Sequence, residues 1–164
     1  MNRASILITV TVLCFGQDIP SFDGNRAMDL LVKQCTFGPR FPGSDGHLQM
    51  KAFLEKFLHP LSDSLYIMNE KISHPYERRY ITLTNYLAQY NLNADYRIML
   101  MAHWDTREFA DQDLNPQNRS LPILGANDGA SGVSILLTLA EILHVLPPLN
   151  IGVDLLFVDG EDMG

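Results

Sequence analysis

His103 and Asp105 stand two residues apart at the end of an apolar run, Arg97 to Ala102. On extended chain that spacing projects an imidazole and a carboxylate from one face, where they can share a metal ion or simply hydrogen-bond to each other. A second polar segment, Gly125-Ala126-Asn127-Asp128-Gly129-Ala130-Ser131-Gly132, leads into another apolar stretch. Asp128 fits a helix N-cap there as readily as a ligand position. The glycines lack the spacing of a dinucleotide loop and no Gly-Lys-Ser/Thr follows, which argues against phosphate binding. The third segment is Phe157-Val158-Asp159-Gly160-Glu161-Asp162. Its three carboxylates repel one another unless a cation or a solvated turn relieves them. Glu161 and Asp162 are adjacent, so they point in different directions and suit two separate tasks. Nucleophilic catalysis has little support, because Ser131 lies in no nucleophile-elbow sequence and Cys35 has no evident partner.

The elements around these segments set where they fall. Ala27, Met28, Leu30, Leu31 and Cys35 recur at helical spacing, and Phe37-Gly38-Pro39-Arg40-Phe41-Pro42-Gly43 then breaks the chain. A second amphipathic helix carries Leu48, Phe53, Leu54, Phe57 and Leu58 and ends at Pro60. Leu65–Met68 and Tyr80–Thr84 flank His74-Pro75 and predict an antiparallel pair. The uninterrupted apolar run from Arg97 predicts a central strand buried on both faces. Trp104 to Leu124 is a long polar loop, of a length that is usually functional or mobile. Val133–Val145 is too uniformly apolar for a surface helix, and Ile151–Val158 reads as a further buried strand. Strand, helix and strand in that order imply a βαβ unit. The expected class is α/β, with a mixed, mostly parallel central sheet flanked by helices. In open α/β sheets the ligand crevice lies beyond the carboxyl ends of the strands, where all three polar segments fall. A rim of His, Asp and Glu is a ligand set for zinc or magnesium, and the imidazole favours zinc.

Composition narrows the partners. The chain has 164 residues, 46% of them hydrophobic and 19% charged, which excludes a disordered tail, a collagen and a disulfide miniprotein. Its formal net charge of −7 argues against nucleic acid as a partner. The charge is uneven: residues 1–102 hold 10 basic and 9 acidic side chains, and residues 103–164 hold 2 and 10. The acidity thus belongs to the segments that carry the candidate ligands. At the N-terminus, Arg3 precedes an apolar run from Ala4 to Phe15, and Cys14 and Gly16 occupy the small-residue positions before a cut at Gln17. This is the pattern of a secretory signal peptide, and the run falls short of the about 20 apolar residues of a membrane span. The expected division is residues 1–16 as signal peptide and 17–164 as part of a catalytic domain. That implies secretion or a periplasmic location with no stable membrane insertion. Cys35 is then the one remaining cysteine, so packing rather than disulfides must hold the fold. Asn118-Arg119-Ser120 matches a glycosylation acceptor, relevant only in a eukaryotic secretory pathway.

The three motifs in this order, together with Phe37–Gly43, resemble the zinc-dependent glutaminyl cyclases and their relatives, the dizinc aminopeptidases. The resemblance runs from about residue 26 to the end. It implies that Asp128 and Asp162 bind the catalytic zinc and that Glu161 is the catalytic acid–base. It also implies that His103 occupies the position that holds a second zinc in the aminopeptidases. The Asp-Gly-Glu-Asp wording and the long loop after His-Trp-Asp favour the cyclase branch. One zinc is expected for a cyclase and two for an aminopeptidase. The substrates are peptide or protein N-termini, with N-terminal glutamine converted to pyroglutamate and ammonia released. The alternatives are hydrolysis of N-terminal residues or an inactive fragment that keeps the fold. The family places a further zinc-binding histidine downstream of the last motif, and this sequence stops at Gly164. The expectation is therefore a chain incomplete at its C-terminus, and inactive by itself.

Overall fold

The structure is a computed structural model and describes residues 20–147 and 149–163. The signal-peptide expectation for residues 1–16 lies outside the described residues. Helix α1 spans Gly24–Cys35, with Asp23 Oδ1 accepting from the backbone N–H of Asn25 and Arg26 at 2.9 and 3.1 Å. Helix α2 spans Asp45–Leu58 and is capped by Ser44, whose Oγ accepts from the His47 N–H at 3.1 Å. These caps satisfy donors that a first helical turn otherwise leaves unpaired. The buried stripe of α2 is His47, Met50, Leu54 and Leu58, while Leu48 is exposed, as is Met28 on α1.

Strands β1 (Ser64–Ser73) and β2 (Tyr80–Tyr90) form the expected antiparallel hairpin, from Ser64↔Gln89 to Ser73↔Tyr80. Strand β3 is Arg97–His103, helix α3 is Ser131–Val145 and strand β4 is Gly152–Val158. The sheet order is β1-β2-β4-β3, with β2 antiparallel and β3 parallel to β4. The expected βαβ unit is β3-α3-β4, which supplies the one parallel pairing among the described residues.

Tyr86, Ala88 and Tyr90 of β2 lie opposite Phe157, Leu155 and Val153 of β4. This face packs against Leu30 of α1, Leu54 and Leu58 of α2, and Val133, Leu137 and Ala140 of α3. The core therefore lies on one side of the sheet, under all three helices. Ala126–Val145 is long and apolar enough to cross a membrane by composition, but here it is the helix that covers this core.

One expectation fails. β3 is not a central strand buried on both faces: β2 and β4 are the interior strands, and β3 pairs with β4 alone. Met101 on β3 is 64% exposed, and Met99, Ile98 and Leu100 are exposed too. A continuous apolar run identifies a strand without encoding how many neighbours it has.

The far end of β3 is tied down electrostatically. Arg97 Nη2 donates to Asp154 Oδ1 at 2.7 Å and Nε to Oδ2 at 3.1 Å, while Nη1 donates to the Asn91 carbonyl at 2.8 Å. These bonds hold the Asp154 carboxyl below its ordinary pKa. A depressed carboxyl contributes stability that is full above its unfolded pKa of about 3.9 and is lost as pH falls through the folded-state value. Arg97→Ala should therefore cost roughly 1–3 kcal/mol near pH 7, with the gap to wild type narrowing as pH falls below the ordinary carboxylate range, in urea titrations across pH.

Candidate metal centre

Four chain segments meet at the carboxyl ends of β3 and β4. The first is the β3 exit. Trp104 extends the ladder by donating its N–H to the Val158 carbonyl at 2.9 Å, and its buried indole Nε1 donates to the Thr84 carbonyl at 3.1 Å. The ring stacks on His47 with centroids 4.5 Å apart. This fixed tryptophan sets His103 on one side of itself and Asp105 on the other.

Asp105 is fully buried, and its two oxygens accept the backbone N–H groups of Glu161 and Asp162 at 3.2 and 3.1 Å. It therefore holds the turn after β4 in place. Gly160, at φ +79°, lets the chain reverse before that turn.

The second glycine-containing segment serves close approach. Gly129 adopts φ 84° and ψ −66°, the rare γ-turn region, and Asp128 before it is also non-helical. A Cβ on Gly129 would lie 2.9 Å from the Asp105 carbonyl oxygen and 3.2 Å from His103 Cε1. Asp128 is not an N-cap, since α3 begins without a side-chain cap. It is turned toward the β3 exit instead.

The candidate ligands converge as a result. Asp128 Oδ1 lies 2.9 Å from His103 Nε2, and one donor atom each from His103, Asp128 and Asp162 lie within 4.8 Å of one another. Glu161 Oε2 is 3.8 Å from the same imidazole nitrogen. Accessibility separates the carboxylates: the Asp128 and Glu161 side chains are 71% and 61% exposed, and that of Asp162 is 9%. Burial, then the negative charges of Asp128 and Asp105, push the Asp162 carboxyl above its ordinary pKa. The nearby carboxylates, Asp105 foremost, push His103 up to about 9. Asp105 Oδ1 stands 3.5 Å from His103 Nδ1, an ion-pair distance, and that nitrogen has no hydrogen-bond partner among the described residues.

Asp159 lies apart from this group. It is buried, accepts from the Thr84 N–H at 2.7 Å and meets His47 Nε2 at 2.8 Å. Of the three carboxylates after β4, one thus turns into the core and two face the rim. That separation relieves the repulsion expected from the sequence.

Sequence reasoning missed the residue that assembles the rim. Arg40 is fully buried, and its guanidinium donates only to carbonyls among the described residues. These are Trp104 at 3.1 Å, Leu124 at 3.0 Å, Gly125 at 3.0 Å and Gly38 at 3.4 Å. Its backbone N–H also donates to Thr106 Oγ1 at 2.7 Å. Both ends of the 104–124 loop and the start of the Asp128 segment are therefore held by one side chain. Burial pulls the guanidinium below its ordinary pKa, although an arginine stays charged in proteins. The available signal was an arginine between two prolines in an otherwise uncharged segment.

Known proteins share this fold. Residues 85–164 match Peptidase family M28. Over 131 residues the chain is 30% identical to a glutaminyl-peptide cyclotransferase-like protein of Bos taurus, covering 75% of this chain and 32% of that protein. The glutaminyl cyclase of Bacteroides thetaiotaomicron bound to N-acetylhistamine superposes with a TM-score of 0.82 at 35% identity, covering 88% of this chain and 49% of that one. A Zn-dependent exopeptidase from Parabacteroides distasonis gives 0.83 at 31% identity, with the same coverages of 88% and 49%. The rim thus sits in an α/β fold like that of the solved glutaminyl cyclases and Zn-dependent exopeptidases. Among these the chain resembles the glutaminyl cyclases. It spans about half the length of the solved structures it matches.

Two substitutions test the assembly. Arg40→Met, which leaves four carbonyls short of a donor, those of Trp104 and Gly125 in buried bonds, should destabilise the fold by about 3 kcal/mol or more in denaturant unfolding, and Arg40→Lys should not restore it. Gly129→Ala should displace His103 and Asp128 and weaken metal binding measurably by calorimetry; unchanged affinity would contradict the close approach.

Proposed function

We propose that this chain forms the zinc-holding part of a glutaminyl-peptide cyclotransferase, with Asp128 and Asp162 as zinc ligands and Glu161 as acid–base. The convergence of His103, Asp128 and Asp162 within 4.8 Å carries the reading. The donor set suits zinc, which in catalytic sites takes three nitrogen, oxygen or sulfur ligands and keeps one exchangeable position. Charge supports it as well: beyond the burial that mainly raises the Asp162 pKa, the negative charges of Asp128 and Asp105 add to it, and a divalent cation relieves that crowding.

Zinc held there supplies Lewis-acid polarisation of the substrate's side-chain amide carbonyl. The nucleophile is the peptide's own α-amine, so attack is intramolecular and the site's work is orientation and proton transfer. The α-nitrogen bonds to the side-chain amide carbon, the bond from that carbon to its NH2 group breaks, and a five-membered lactam and ammonia result. Glu161, open to solvent at the rim and 3.8 Å from His103 Nε2, takes the amine proton and returns it to the departing nitrogen. His103 orients Asp128 through the 2.9 Å contact. Asp105 positions Glu161 and Asp162 through their backbone N–H groups.

The same position of His103 favours a second reading, in which it holds a second zinc and the reaction is aminopeptidase hydrolysis. Metal stoichiometry separates the two, as does assay on glutaminyl peptides against amino-acid arylamides. The apolar N-terminal segment and the small residues before Gln17 support secretion or a periplasmic location for either enzyme.

Glu161→Gln should lower ammonia release by roughly 100-fold or more while zinc content, measured by mass spectrometry, stays near that of wild type. Asp128→Ala and Asp162→Ala should lose the metal. Loss of metal and turnover together in Glu161→Gln would contradict the acid–base assignment.

A further inference from the structure

A cavity of about 380 Å³ opens at the end of the sheet away from the rim, where β2 finishes, β4 begins and α3 runs out. Its size falls within the roughly 300–1,000 Å³ typical of small-ligand sites. Seven residues of β4 lie between this cavity and the turn that carries Glu161 and Asp162, about 20 Å at the rise of an extended strand. None of the candidate metal ligands lines it.

We propose that this cavity binds a small organic cation, a protonated amine on an apolar body, with Asp63 as its counter-ion. The site stands whether or not the rim turns over glutaminyl peptides. Asp63 is the one carboxylate on the walls, and no lysine or arginine lines them among the described residues. Arg97 does grip the Tyr90 and Asn91 carbonyls nearby, at 3.2 and 2.8 Å, but its charge is met by Asp154. The last turn of α3 also borders the cavity, through Leu143 and His144, and a helix C-terminus carries partial negative charge. A cation is therefore favoured from two sides, and an anion would meet like charge. The rest of the lining is apolar, and Leu92, Leu149 and Ile151 leave large apolar surfaces open to solvent. Covering them is favourable for a ligand with a hydrocarbon body.

Tyr90 supplies an independent observation. It lines the cavity and is only 5% exposed, yet its hydroxyl has no hydrogen-bond partner among the described residues. Buried hydroxyls are as a rule paired, and leaving one unpaired costs free energy. Burial, and after it the charge of Asp63, hold the phenol above its ordinary pKa, so it stays protonated and lies within the field of that carboxylate. An ammonium group drawn in by Asp63 can donate to the phenol oxygen and supply the missing partner. The walls are set beforehand by Asn91, which holds φ at 52° in the left-handed region. Its backbone N–H donates to Asp63 Oδ2 at 2.6 Å, and its Nδ2 donates to the Leu149 carbonyl at 2.5 Å. The carboxylate and the segment entering β4 are thereby tied to one residue.

The test titrates the purified chain, in EDTA to keep metal from the rim, with phenethylamine, phenethyl alcohol, phenylacetate and methylamine. Calorimetry reads the affinity, and amide shifts in NMR at Asn91, Leu92 and Leu146 locate the binding. Phenethylamine should bind most tightly, roughly threefold to fivefold better than the alcohol, which is the worth of one partly exposed ion pair. Phenylacetate should bind more weakly than either, and methylamine, lacking the apolar body, should not saturate. Asp63→Asn keeps an acceptor for the Asn91 N–H and should erase the preference for amine over alcohol. Tyr90→Phe removes a hydroxyl with no bond to lose, so its unfolding midpoint should match or exceed that of wild type while amine affinity falls. No saturable binding of the amine, equal affinity for amine and alcohol, or a preference that survives Asp63→Asn would each overturn the site. So would shifts at His103 and Glu161 in place of those at Asn91.

Discussion

The rim depends on one buried guanidinium. Arg40 comes from the irregular segment between α1 and α2, yet its donors end on carbonyls at Trp104, Leu124 and Gly125. Two parts of the chain, at Trp104 and at Leu124-Gly125, each more than sixty residues from the arginine, are brought together by that one group. A buried charge without its hydrogen bonds is costly, so the carbonyls and the arginine hold each other in place. Lysine could not substitute, having three donors at a point rather than five in a planar fork. The 104–124 loop thus leaves and rejoins the body at fixed points.

From that anchor the acidic residues divide into distinct tasks. Asp105 and Asp159 are buried and serve structure, the first by holding the turn after β4 and the second by pairing with His47 beneath Trp104. Asp128 and Glu161 are exposed, and Asp162 is intermediate, within reach of the imidazole. The acidity concentrated in residues 103–164 is therefore a graded series from core to rim rather than a uniform surface. The gradient matters chemically, because a ligand and a proton carrier need different exposure even when they are neighbours in sequence.

Much of this was legible in the residues. The helices around Leu30 and Leu54, the hairpin flanking His74, and the β3-α3-β4 unit follow from periodicity and length. So does the placement of His103, Asp128 and Asp162 at one end of the sheet. The rank of β3 was not legible, because an apolar run such as Ile98–Met101 reads the same at an edge as in the middle. Asp159 was grouped with Glu161 and Asp162 by proximity in sequence, although strand alternation and the buried His47 send it inward. Arg40 was invisible as an organiser, since its partners are backbone carbonyls and no side-chain type marks them. Gly129 was visible as a glycine, but its purpose depends on how near Asp105 and His103 approach.

Trp104 is the only tryptophan in the sequence. Its indole is stacked on His47, hydrogen-bonded to the Thr84 carbonyl, and flanked in the chain by His103 and Asp105. Light absorbed at the red edge of the aromatic band therefore excites one ring, at one address in the molecule. Emission from that ring senses the local electric field and the imidazole beneath it. The fold has in effect installed an optical reporter beside its own chemistry, and the arrival of a cation at the rim can be followed in real time without attaching a label.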